Sequence, residues 1–254
     1  HDAMVLAKAY VTGGIKEPAH EVLEQNDLRP PIGHHGLPTW LDDFPQVFEE
    51  GFPSYSERFA PCPLHLGLYP VVDSVEWIER LVNQGVKTIQ LRIKDKSDPK
   101  LFDKIKAAVD FCEPKAVRLF IDDHYELAIK AHAYGVHLGM EGLKTADLKS
   151  IQKAGLRLGV STHGAYEMLK AMQLQPSYIA LGHIFPTQSK KMPSKPQGVF
   201  KLALEQEIIQ DLVPTVAIGG IKLHNVEDVL ETGVGSVALI TGITKADDPD
   251  KETQ

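Results

Sequence analysis

From Leu66 onward the chain alternates short β-branched apolar runs with longer segments whose apolar residues recur three and four apart. The short runs predict strands at "LGLYPVVD" (66–73), "VKTIQLRIK" (86–94), "VRLFIDD" (117–123), "GVHLG" (135–139), "RLGVST" (157–162), "YIALGHIF" (178–185), "PTVAIGG" (214–220) and "GSVALITGI" (235–243). Between them "SVEWIERLVNQG", "PKLFDKIKAAVDFC", "YELAIKAHA", "TADLKSIQKAG", "AYEMLKAMQL", "VFKLALEQEIIQ" and "NVEDVLETG" predict helices, several closed by Gly as helices commonly are. Strands alternating with amphipathic helices make an α/β protein with a parallel sheet. Eight strands and seven helices fit a (β/α)8 TIM barrel, although "KADDPDKETQ" leaves the eighth helix barely present. A doubly wound open sheet is the rival architecture, but no G-x-G-x-x-G follows the first strand. Residues 1–65 break the pattern. A helix-like "AMVLAKAYVTGGI" precedes the Pro-, Gly- and His-rich "LRPPIGHHGLPTWLDDFP", which reads as loop. The chain therefore divides into an irregular N-terminal extension, 1–65, and a barrel domain, 66–254.

Composition narrows the function classes. The 254 residues carry a formal net charge of −7 and are 43% hydrophobic, enough to bury a core unaided. That mild acidity offers no basic footprint for nucleic acid, so an anion site has to be local and preorganised. No apolar run is long enough to span a membrane, and no signal peptide opens the chain. Cys62 and Cys112 have no paired spacing, which points away from disulfides and zinc and toward a reducing cytoplasm. The first residue is His1 rather than Met, as in a trimmed product or a fragment.

In such a barrel, chemistry gathers at the carboxyl ends of the strands. Gln90, Arg92 and Lys94 alternate with apolar residues in "IQLRIKDK", so a strand would turn all three to one face. Asp122 and Asp123 end the third strand, Glu141 follows the fourth, and Ser161, Thr162 and His163 end the fifth. "PTQSKK" after the sixth brings Thr187, Ser189, Lys190 and Lys191; Gly219-Gly220 ends the seventh and Thr241-Gly242 the eighth. Arg offers a planar fork of donors and Lys a point charge, a combination suited to phosphate oxygens. The glycines near strands seven and eight suit a second anion held by backbone N–H groups, so the pattern predicts two phosphorylated ligands. Carboxylates beside a polyanion call for a hard cation, which implies Mg²⁺. Each feature alone has a plainer reading: "IDDH" as turn and helix cap, Gly-Gly as a turn, His163 as a satisfied polar residue, His137 as a packed interior one. His34 and His35, in a loop without Cys partners, are not expected to be ligands.

Taken in order, "LYPVVD", "IQLRIKDK", "FIDDHYELAIKAHAYGVHLG", "GVSTH", "LGHIFPTQSKKMPSKPQG" and "VAIGGI" resemble the motifs of the thiamine-phosphate synthases, from about Leu66 to Ile243. The resemblance implies a reaction that joins hydroxymethylpyrimidine diphosphate to thiazole phosphate and releases pyrophosphate by a dissociative route. It assigns Gln90, Arg92, Lys94 and Lys190 to the diphosphate-pyrimidine substrate, with Asp122 beside it, and Ser161 to the pyrimidine. It assigns Thr187, Gln188, Ser189, Gly220, Ile240 and Thr241 to the thiazole phosphate. Arg92, Lys94 and Lys190 would serve catalysis, and Asp123 would hold magnesium.

The chain departs from the family pattern where Asp122-Asp123 replaces Asn-Asp and Gly139-Met140-Glu141-Gly142 replaces G-Q-E-D, so the second magnesium aspartate is missing. Asp122 or Glu141 is the expected partial substitute. The N-terminal segment resembles the tail of hydroxymethylpyrimidine-phosphate kinase, without that enzyme's Gly-rich anion hole, and is expected to have no kinase activity. Its place in the fold is open, with a cover over the thin eighth helix as one possibility. Two other functions stay open: a thiazole tautomerase using His163, and a catalytically weakened phosphate-binding protein.

Overall fold

The computed structural model describes residues 1–17, 33, 36–53, 57–187, 194–244 and 246. Eight parallel strands close into a barrel in chain order, β1 (Gly67–Val72), β2 (Thr88–Leu91), β3 (Arg118–Asp122), β4 (Gly135–Leu138), β5 (Arg157–Thr162), β6 (Tyr178–Gly182), β7 (Thr215–Ile218) and β8 (Ser236–Leu239). Pairing of β8 with β1, Ser236 opposite Gly67 and Leu239 opposite Pro70, leaves the sheet without an edge and excludes the open-sheet alternative. The helices follow in register: α1 (Asp2–Lys16) in the extension, then α2 (Val75–Asn83), α3 (Leu101–Cys112), α4 (Tyr125–Ala131), α5 (Met140–Thr145), α6 (Leu148–Lys153), α7 (Ala165–Met172), α8 (Gly198–Ile209), α9 (Val226–Leu230) and α10 (Thr241–Thr244).

Several boundaries differ from expectation; the sixth strand, for one, ends at Gly182 and not at Phe185. The second strand ends at Leu91, leaving Arg92 and Lys94 in the loop, although the Arg92 N–H still donates to Val72 O at 2.7 Å. The eighth ends at Leu239 and turns directly into α10, so Thr241 is a helical residue. Helix α5 was not predicted, because its sequence MEGLKT contains a glycine and offers only two buried apolar residues, Met140 and Leu143.

Strand alternation sorts the core into two layers. Ile89, Leu91, Leu119, Ile121, Val136, Leu158, Ile179 and Leu181 face the helices. Tyr69, Val71, Phe120, Tyr178, Ala180, Val216 and Ala238 fill the barrel. Large rings need small neighbours there. A Cβ on Gly159 would lie 2.2 Å from Tyr178 Cζ, so glycine at that inward position is what admits the tyrosine.

The described residues of the extension lie over the α6–α7 flank. The N-cap region of α7 explains the docking of α1, since the Tyr166 N–H donates to Asp2 Oδ1 at 3.0 Å. Further along, Gln173 donates to Val47 O at 2.9 Å, Gln152 to Glu57 O at 3.2 Å and Arg157 to Pro61 O at 3.1 Å. The buried Lys170 of α7 pairs with Glu49 and lies 4.0 Å from the centre of the Phe52 ring. A buried ammonium demands such partners.

Glu205, on α8, is buried, and its Oε2 has no partner among the described residues. Burial first, then the nearby Asp2 carboxylate, push its carboxyl up to about 8. An unfolded Glu titrates near ~4.3. Between those values the folded protein holds a proton that the unfolded chain has released, so this group's contribution to stability declines as pH rises through that window. Glu205→Gln is therefore expected to match the native protein near pH 5 and exceed it by on the order of 3 kcal/mol at pH 8. Denaturant titrations at the two pH values check this, and a gap that does not depend on pH contradicts it.

Candidate active site

The carboxyl ends of the strands surround two adjoining cavities of about 630 Å³ and about 740 Å³, both in the size range of small-molecule sites. Arg92, Thr187, Val71 and Ile240 line both, so the two are halves of one mouth. The first half gathers Gln90, Asp122, Asp123 and Ser161. The second gathers Lys94, Gly220 and Thr241, with Lys222. The expected trio is thereby split: Gln90 belongs to the first half, Lys94 to the second, and Arg92 to both. Gln188, Ser189 and Lys190 lie outside the described residues, as do His34 and His35.

Arg92 follows β2 directly, and its Nε donates to Asp122 Oδ2 at 2.9 Å. Side-chain exposures of 23% and 13% place this pair well below full solvation, where a charge-assisted bond fixes orientation better than a surface ion pair does. Asp122, at the end of β3, thus holds the guanidinium over the mouth.

Asp123 has a left-handed backbone, φ 62°, and its N–H donates to His137 O at 3.0 Å. A Cβ at Gly142 would stand 3.6 Å from Asp123 Oδ1, so a side chain at 142 would look onto this carboxylate, and here there is none. Glu141, in the first turn of α5, is 90% exposed and pairs with Lys144 at 3.4 Å. Among the described residues no group of three or more His, Cys, Asp or Glu is arranged to hold a metal. Asp123 is a carboxylate of the mouth that could hold a hard cation, and only with a ligand's oxygens supplying most of the coordination.

Ser161, near the end of β5, has its Oγ 2.7 Å from His137 Nε2. His137 is buried inside the barrel, as expected, but it also lines the first cavity, and its Nδ1 meets Tyr178 Oη at 2.6 Å. His163 is satisfied by Glu167, whose Oε2 accepts from its backbone N–H at 2.8 Å and lies 2.9 Å from Nδ1. His183 lines the first half, with Nδ1 buried and unpartnered among the described residues. Burial and the neighbouring His163 push its pKa down.

Gly220 has φ 68°, and a Cβ there would lie 2.6 Å from Pro186 O. The glycine lets the β7 loop pack against the loop after β6, which carries Thr187 to both cavities. Sequence reasoning missed Lys96, Lys222, His183, Tyr69 and Tyr178. Lys96 extends the period-two series of 90, 92 and 94 and was legible. Lys222 stands two residues after Gly220 with no pattern to mark it.

A closed (β/α)8 barrel whose mouth joins two ligand-sized cavities around an arginine held by Asp122 has the architecture of a small-molecule barrel enzyme. The pattern of the thiamine monophosphate synthase family matches residues 68–243, and the chain belongs to that family. It is 58% identical over 194 residues to the thiamine-phosphate synthase of Citrobacter koseri, covering 76% of this chain and 92% of that one. The thiamine-phosphate synthase of Salmonella typhimurium matches equally, 58% over 194 residues, with the same coverage of 76% and 92%. Among solved structures, thiamine phosphate pyrophosphorylase from Pyrococcus furiosus superposes with a TM-score of 0.65 at 29% identity, covering 74% of this chain and 92% of that one. A 3-hexulose-6-phosphate synthase, with TM-score 0.55 at 19% identity over 74% of this chain and 96% of that one, shares the fold.

Gly220→Ala combines positive φ with a steric overlap, and is expected to cost about 1–3 kcal/mol. Chemical denaturation checks this, and a loss below about 0.5 kcal/mol contradicts the packing role.

Proposed function

We propose that this protein is a transferase making thiamine phosphate from hydroxymethylpyrimidine diphosphate and thiazole phosphate. The bond from the pyrimidine methylene carbon to the diphosphate oxygen breaks, its electron pair leaving with the pyrophosphate. The thiazole nitrogen then supplies the pair for the new C–N bond. Such a reaction asks little acid–base chemistry of the protein and much charge stabilisation and alignment. The observation that carries this reading is Arg92, held by Asp122 at the seam of the two cavities. A group leaving a ligand in one half, with the second ligand in the other, would depart past this guanidinium.

Gln90 and Ser161 would flank the pyrimidine, and Lys94 would reach the diphosphate from the second half. Thr187, Gly220, Ile240 and Thr241 would cradle the thiazole phosphate. The family resemblance adds Gln188, Ser189 and Lys190. Magnesium would be held by Asp123 and would neutralise diphosphate oxygens. Asp122 is engaged by Arg92 and Glu141 by Lys144, so either would have to share or leave that partner to stand in for the missing aspartate. The identities of the relatives favour this activity over a tautomerase or an inactive binder. Cys62 and Cys112 are free thiols, in keeping with a reducing cytoplasm. Among the described residues no helix is long and apolar enough to cross a membrane. Residues 1–65 we read as a non-catalytic brace, a remnant or the end of a fused pyrimidine-phosphate kinase.

Purified protein given both substrates is expected to release pyrophosphate, and to release none when either is withheld; release from the diphosphate alone, or none at all, contradicts the assignment. Arg92→Ala is expected to slow turnover at least tenfold, about 1.4 kcal/mol of lost stabilisation of the leaving anion. An undiminished rate removes Arg92 from the mechanism. Asp123→Ala is expected to raise the magnesium concentration for half-maximal turnover at least fivefold, read in a magnesium titration. Indifference to both metal and substitution removes the metal site.

A further inference from the structure

Five side chains from five strands form one buried polar line across the barrel. Gln90 Nε2 lies 3.5 Å from Tyr69 Oη, Tyr69 Oη 2.8 Å from Tyr178 Oη, Tyr178 Oη 2.6 Å from His137 Nδ1, and His137 Nε2 2.7 Å from Ser161 Oγ. Gln90, His137 and Ser161 line the first cavity, whereas Tyr69 and Tyr178 are 1% and 0% exposed. The tyrosines do not touch the site. They connect its two walls through the interior.

Hydrogen counting makes all the links run one way, and the Gln90 amide, donating to Tyr69, sets which way. Each phenol has one hydrogen and a neutral imidazole has one N–H. Burial pushes both phenols above their ordinary range, so each keeps its hydrogen. With the Gln90 amide donating to Tyr69, Tyr69 must donate to Tyr178 and Tyr178 to His137 Nδ1. The imidazole proton then sits on Nε2 and is given to Ser161 Oγ. This order leaves the Gln90 amide oxygen as an acceptor and the Ser161 hydroxyl hydrogen as a donor for groups in the cavity. Reversing any link reverses the links beyond it, because a buried donor facing a donor is costly.

We propose that Tyr178 and His137 are positioning residues that fix the hydrogen-bond polarity of the pyrimidine site, so that it accepts a ring with an exocyclic amino donor beside a ring-nitrogen acceptor and rejects the oxo counterpart. This rests on the reading of the first cavity as the pyrimidine site. Selectivity of this kind arises because the wrong ligand leaves polar groups unpaired.

The test has two independent readouts. In the ligand-free native protein, ¹⁵N NMR of His137 is expected to show Nε2 protonated and Nδ1 bare, and Tyr178→Phe is expected to abolish that preference. A native Nδ1–H tautomer overturns the proposal whether or not the enzyme makes thiamine phosphate. In kinetics, the ratio of kcat/KM for the 4-amino and 4-oxo pyrimidine diphosphates is expected to fall at least tenfold in Tyr178→Phe. The change is expected in KM for the pyrimidine substrate, with KM for the thiazole phosphate unmoved. An unchanged ratio in a folded variant overturns it. Should Tyr178→Phe fail to fold, Tyr69→Phe keeps the Tyr178–His137 contact and removes the hydroxyl that joins Tyr178 to Gln90, so the line is cut between its two ends and the same loss of discrimination is required of it. A native protein that releases no pyrophosphate from its two substrates would sink the functional reading, leaving the tautomer measurement to decide the polarity line.

Discussion

Closure of the sheet is the constraint on which the rest depends. A parallel sheet leaves unpaired N–H and C=O groups at each edge, and here β8 meets β1 so that neither edge exists. Because every strand runs the same way around a closed ring, all the segments leaving the strands emerge at one mouth. Residues as far apart in sequence as Gln90 and Ile240 thereby line one cavity. No local preference brings those residues together; the ring does.

The same closure creates a narrow interior that has to be filled. Tyr178, Phe120 and Tyr69 occupy it as tilted and edge-on rings, with centroids 5.1 to 5.8 Å apart. Gly159 yields the space. Two of those rings carry hydroxyls, which cost free energy when buried without partners. They are satisfied by one another, by His137 and by Gln90, and the line of contacts ends at the mouth. The packing solution and the polarity of the site are thus the same set of side chains.

Electrostatics operates on a smaller scale. The chain is acidic overall, at −7, yet the mouth carries Arg92, Lys94, Lys96 and Lys222. Asp122 restrains one of these cations and Asp123 stands beside it, so the cavity is a patterned arrangement of charge and not a uniformly positive bowl. On the opposite account, Lys170 is drawn under the extension, where Glu49 and the Phe52 ring compensate its burial. That pairing ties the α7 flank to a segment the barrel pattern does not include.

The sequence by itself determined the alternation of strands and helices, since period-two and period-3.6 burial are written into the order of apolar residues. It also determined the polar residues at the strand ends and, through its motifs, the family. It did not determine where β2 and β8 stop, because Arg92 keeps one ladder bond beyond the strand and Thr241 starts a helix too short to show a period. The division of Gln90, Arg92 and Lys94 between two cavities, the Arg92–Asp122 bond, and the course of the extension over α7 were decided only by the tertiary structure. So was the line from Gln90 to Ser161, whose members are 21, 109, 41 and 24 residues apart at successive links. A sequence records which groups need partners; only the closed barrel decides which partners come within reach.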